Sequence, residues 1–235
     1  MSAAPDEFDD FLHWFRDASE NFWADHRPIT LAEQARAGVG GSDWQPGTRW
    51  APLDHAEIAR AEAMAGAVFP SDFRLFLATL GVPDRPQIAF FFEGAELTEG
   101  RGQHFADWRD PKDITARREG CLERILFDVE KGLWIDAWGT PPEIMAERMS
   151  AAQDLFRNAP VLLPFYGHRF VPAIHDGASP PVLSIHQTDA ILYAASMRDA
   201  LLMDFGKLVG MAGYSGIATP PELPDSLGLW RSILA

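Results

Sequence analysis

Hydrophobic positions recur at three- and four-residue steps through Phe8, Phe11, Leu12, Phe15, Ala18 and Phe22, which predicts an amphipathic helix over residues 5–25. Trp14 and Trp23 widen the apolar stripe, so this helix is expected to dock on the rest of the chain. Asp6, Glu7, Asp9 and Asp10 fall in its first turns, where they complement the helix dipole. A shorter helix over residues 31–37 ends at Gly38, and the run Gly38-Val39-Gly40-Gly41-Ser42 reads as a linker without phosphate-loop spacing. Asp54 and Glu57 form a capping box that opens a helix with Ile58, Ala61 and Ala65 on its inner face, closed by Gly66. Ser71 is expected to cap the next helix, which turns Phe73, Phe76, Leu77 and Leu80 inward and stops at Gly81.

The pattern then changes period. Residues 87–93 form an apolar and aromatic run between Pro86 and Gly94, as a buried strand does. Residues 99–118 are polar and break periodicity, which predicts a long loop or a weak helix. Residues 125–129 and 133–138 read as two strands joined by a Glu130-Lys131-Gly132 turn. Pro142 opens a helix carrying Ile144, Met145, Met149, Ala152, Leu155 and Phe156. Three strands follow over residues 161–166, 170–174 and 181–186, then a helix over 197–209 and a Gly- and Pro-rich tail with a short helix near 227–234. The sum is an α+β fold, a mostly antiparallel curved sheet flanked by helices. Residues 1–48 are expected to form a helical arm and linker, 49–210 the domain, and 211–235 a tail packing on it.

Composition narrows the function. The 235 residues are 47% apolar, enough for a substantial core, and carry a formal net charge of −14. Lys112, Lys131 and Lys207 are scattered, so neither a phosphate-backbone binder nor a polybasic membrane patch is expected. Such acidity reads first as a solubility device, and alternatively as a field that would steer association with a basic protein partner. Cys121 stands alone and excludes an intramolecular disulfide. The N-terminal residues carry acids where a signal peptide has basic residues and an apolar run, so a cytoplasmic location is expected.

Several groupings invite chemistry. Ser184 and His186 would share a strand face with Asp189 nearby, but no nucleophile elbow surrounds the serine, and a strand-to-helix hydrogen-bond network is expected instead. His168, His175 and His186 match no zinc spacing, and no metal or cofactor is expected. Asp128, Glu130 and Asp136, beside Trp134 and Trp138, suit either glycoside chemistry or an acidic, aromatic face for a basic protein; both tryptophans suit core packing equally. His168-Arg169 sits at a predicted turn, free to bind or to tie Asp128 or Asp136 in an ion pair. These seven residues, Asp128, Glu130, Trp134, Asp136, Trp138, His168 and Arg169, are the partner-binding candidates.

Residues 50–206 resemble the SUKH superfamily, which holds the fungal Smi/Knr cell-wall regulators and many bacterial toxin-immunity proteins. The resemblance rests on Trp50, Ile58, Glu62 and Phe69-Pro70-Ser71-Asp72-Phe73 with Gly81, on Ile125 to Glu130 with Trp134 and Trp138-Gly139-Thr140-Pro141, and most specifically on Leu163 to Pro172 and Pro181 to Asp189. Phe69, Phe73 and Leu80 depart from the family's Leu, Tyr and Asn at those positions. The resemblance implies a non-catalytic binding module with a cupped sheet. An immunity protein neutralising a toxin, such as a basic nuclease, is the first expectation. A housekeeping regulatory scaffold of the Smi/Knr type, or a hydrolase using the Asp/Glu/His cluster, are the alternatives.

Overall fold

The computed structural model describes residues 4–174, 179–211, 214, 223 and 225–234. Helix α1 (Phe8–Ala24) buries Phe11, Leu12, Phe15, Ser19 and Trp23. Helix α2 (Leu31–Ala37) is closed by a Thr30–Glu33 capping box and by Gly38 in the left-handed region. The glycine-rich stretch read as a linker goes directly into strand β1 (Gly41–Asp43). The buried Asp43 carboxylate accepts from His26 Nε2 at 2.8 Å and from the Ile29 N–H at 2.7 Å, which fixes the entry to this strand. After β2 (Trp50–Ala51), α3 (His55–Ala65) carries the predicted Asp54–Glu57 capping box and ends at Gly66. In α4 (Ser71–Thr79) the expected cap is displaced: Pro70 holds the cap position without a side-chain bond, and Ser71 is already helical. The Glu62 carboxylate instead organises this start, accepting from the Phe69 N–H at 2.6 Å and from Arg74 Nε at 2.8 Å.

Strand β3 (Val82–Pro83) pairs with β2, and the hairpin of β4 (Gln87–Glu93) and β5 (Glu96–Gly102) joins β1 in a three-stranded antiparallel sheet. The polar stretch 99–118 therefore divides into the end of β5 and the start of α5 (Pro111–Glu130), which Asp110 caps. Residues 125–129, predicted as a strand, are the last turns of this helix. Their apolar run belongs to a longer helical series, Ile114, Cys121, Ile125 and Val129, whose earlier members are diluted by charge. Residues 133–138 are likewise not a strand, and end in a single 3-10 turn at Asp136–Trp138. Helix α6 (Met145–Arg157) starts three residues after Pro142, with Ile144 at its cap position.

The second sheet is antiparallel in the order β6 (Leu162–Tyr166), β7 (Arg169–Pro172), β8 (Val182–His186) and β9 (Asp189–Ala194). Strand β9 lies beyond the three strands that the hydrophobic pattern marks. Gln187 adopts φ +62 and folds the chain straight back into a hairpin, where the sequence suggests a turn into a helix. Helix α7 (Met197–Phe205) continues into a 3-10 turn at Gly206–Val209, and α8 (Leu229–Ile233) follows.

This sheet is covered on both faces, and the pleat separates two cores. Leu163, Val171, Val182 and Ala194 meet α1, α4 and α7 in an aromatic-rich core around Phe105. Leu162, Phe170, Leu183 and Ile185 meet α5, α6 and α8 in the other. The α1 side chains share the first core with β6 and α7, so no break in packing accompanies the boundary expected at residue 48. Among the described residues no helix is long and apolar enough to cross a membrane.

Candidate docking surface

The C-terminal end of α5 positions the acidic and aromatic candidates. Gly132, at φ +99, turns the chain out of the helix, and the Leu133 N–H returns to the Asp128 carbonyl at 3.0 Å. Trp138 is buried by the 3-10 turn that follows: its ring lies edge-on to Phe156 at 5.6 Å and to Trp134 at 5.3 Å. Its indole N–H donates to Ser232 Oγ at 3.2 Å, tying α8 to this turn. Trp134 is half-buried and donates to the Gly139 carbonyl at 2.8 Å. The two indoles line an open groove of about 580 Å³ with Thr140, Pro142, Leu155 and Leu229.

The same stretch of chain also leaves large apolar side chains in water. Phe127 is 48% exposed and Ile144 59%, with Leu133 and Met145 also exposed. Between Phe127 and Glu147 lie Asp128, Glu130, Asp136, Glu143 and Glu147 against the single cation Lys131, whose ammonium sits 5.1 Å from the Phe127 ring centre. Glu130 and Asp136 are exposed. Asp128 is committed elsewhere: one carboxylate oxygen accepts from the Thr188 N–H at 2.9 Å and from Thr188 Oγ1 at 2.7 Å, fastening α5 to the β8–β9 turn. The exposure of Phe127, Leu133, Ile144 and Met145 was not readable from sequence, because their spacing fits the buried face of a helix or strand.

His168 and Arg169 belong to a different neighbourhood, on the β7–β8–β9 face beside α7. Arg169 pairs with neither Asp128 nor Asp136. Its guanidinium lies 3.7 Å from the Tyr193 ring centre, donates to Ser184 Oγ at 3.1 Å and approaches Asp204 at 3.8 Å. Tyr193 donates its hydroxyl proton to the same Asp204. Ser184 is therefore bonded to a guanidinium in a buried strand, an arrangement that holds the sheet to α7. His186 faces the His168 ring with centres 6.2 Å apart. Among the described residues no group of three His, Cys, Asp or Glu is placed to hold a metal ion; His175 lies outside them.

His104, which the sequence did not single out, borders this cluster against Phe105, Tyr166 and Phe205. Burial, reinforced by Arg117, Arg169 and His168 and opposed by Asp204, lowers its pKa to about 4. The folded chain thus keeps His104 neutral where the unfolded chain, titrating near 6.5, has taken up a proton. Its contribution is complete above the unfolded value and is lost as pH falls toward the folded one, by about 3 kcal/mol in all. Urea unfolding at successive pH values is expected to show this decline, and His104→Leu to flatten it; an unchanged slope in the variant would assign the acid sensitivity elsewhere.

Comparison of the chain with protein-family models, curated proteins and solved structures gives no match.

Proposed function

We propose that this chain is a non-catalytic, SUKH-like protein-binding module that holds a basic partner on the surface between Phe127 and Glu147, acting as an immunity protein against a toxin domain. The observation that carries the reading is the exposure of Phe127, Leu133, Ile144 and Met145: large apolar groups left in water within the same short stretch of chain as Trp134 and an excess of carboxylates. Exposed apolar anchors with an aromatic neighbour are what partner binding desolvates. The surrounding carboxylates speed encounter with a cationic surface and discriminate against acidic ones. The sequence resemblance to a superfamily of binding modules, and the overall charge of −14, point the same way.

Affinity purification of the tagged chain from its own host at low and high salt tests this. A stoichiometric basic toxin domain, released as salt rises, is the expected result. Ile144→Asp with Trp134→Ala is expected to weaken that complex by roughly a hundredfold, since central apolar anchors account for most interface energy. A complex that survives the double substitution with unchanged affinity would move the docking surface elsewhere. Recovery of housekeeping enzymes instead would replace immunity by a scaffolding role.

A further inference from the structure

Strand β5 is the outer strand of its sheet, and among the described residues no strand pairs with its far side. Its seven residues, Glu-Leu-Thr-Glu-Gly-Arg-Gly, contain neither proline nor lysine, and helix α2 packs against the strand; what guards the edge is the charge on Glu96, Glu99 and Arg101, which a partner of matching charge can satisfy. Two features at its centre are self-complementary. Glu99 and Arg101 share one face of the strand, 3.7 Å apart and each substantially exposed. Between them Gly100 gives its space to Phe91 of the neighbouring strand: a Cβ on Gly100 would lie 2.9 Å from Phe91 Cε1. The Phe91 ring, 44% exposed, therefore reaches over the outer strand toward the open edge.

We propose that the chain forms a two-fold dimer with a second copy of itself by antiparallel pairing of β5, with the axis through Gly100. In that register Glu99 faces Arg101 of the second copy and Arg101 faces its Glu99, a closed ring of four alternating charges. On the opposite face the two Phe91 rings meet across the axis, because paired strands lie about 4.8 Å apart. Charge selects this register. Moving the axis to Glu99 sets that carboxylate against its own copy, and moving it to Arg101 does the same for the guanidinium. The result is a continuous six-stranded sheet with no exposed edge at β5.

Sedimentation velocity on the full chain, from micromolar to sub-millimolar concentration, reads the state directly. The wild-type chain is expected to be dimeric at the upper end. Glu99→Arg alone and Arg101→Glu alone each oppose like charges twice across the axis and are expected to weaken the dimer about tenfold or more. One variant then carries two guanidinium groups at these positions and the other two carboxylates. Mixing them in equal amounts sets opposite charges face to face at both contacts again, so the mixture is expected to form a heterodimer. Both side chains are solvent-exposed, and circular dichroism is the check that each variant keeps its fold. A monomeric wild-type chain, a dimer indifferent to the single reversals, or a mixture that stays monomeric would each overturn the proposal.

Discussion

A chain beginning at residue 49 is expected to show no cooperative unfolding transition. Helix α1 places Phe11, Leu12, Phe15 and Trp23, each 0% exposed, in the same core as β6 and α7. Removing a single buried Phe or Trp side chain typically costs about 3–5 kcal/mol, and a domain's whole stability is about 5–15 kcal/mol. Losing four large apolar side chains together exceeds that margin. The deletion also strips a polar bond, since Ser19 accepts from the Trp50 indole N–H at 2.8 Å, and takes with it strand β1, whose Asp43 pairs against Ile88. Circular dichroism in urea and amide NMR spectra are the measurements. A sharp transition with the spectrum of a folded protein from residue 49 onward would show that the first helix is an accessory. Phe15→Ala in the full chain gives the graded version, with an expected loss of about 3–5 kcal/mol.

Gly81→Ala is expected to destabilise the fold by about 3 kcal/mol or more, far beyond the effect of the same change at Gly66. Both glycines have positive φ, +65 and +69, so both substitutions carry the backbone cost of about 1 kcal/mol for a left-handed alanine. Only one meets an obstacle. A Cβ on Gly81 would lie 2.2 Å from the Ala51 carbonyl oxygen and 3.0 Å from Leu53 Cδ1, whereas nothing stands within 4 Å of the Gly66 position. Relief requires moving β2, and with it the pairing of Trp50 and Ala51 to Pro83 and Val82 and the bridge from Ala51 to Gly81. Denaturation of the two variants side by side separates backbone strain from steric collision. Equal losses would mean that the strand beneath Gly81 yields freely.

Where a local rule carried enough information, the sequence could be read directly. The capping box at Asp54 and Glu57, the Gly66 stop, the left-handed Gly81 and the stripe of α1 follow from short-range chemistry, and the fold reproduces each. Errors cluster where a short apolar run fits two periods. Residues 125–129 satisfy strand and helix alike, and the choice was made by Asp110 and Pro111, some fifteen residues upstream. Strand β9 was hidden because Gln187 is a non-glycine residue in the left-handed region, a conformation that composition does not advertise. Ser71 has the chemistry of a cap, but Glu62 supplies the acceptor for the Phe69 N–H from a different helix.

The candidate residues divide along the same line. That Trp134, Asp136 and Glu130 lie close along the chain, and that His168 and Arg169 follow a turn, is fixed by their order. Which of them face solvent and which pair is not. Trp138 is enclosed by Phe156 and α8, Asp128 is held by Thr188, and Arg169 lies on Tyr193 beside Asp204; each of these partners is supplied by an element remote in sequence. The sequence by itself determined the α+β class, the acidity, most helices and the strands of the second sheet other than β9, because period, caps and turns act over a few residues. Tertiary structure alone decided which core α1 enters, that Phe127 and Ile144 stand in water and that no described strand pairs with the far side of β5, because burial and strand pairing depend on what the rest of the chain leaves uncovered.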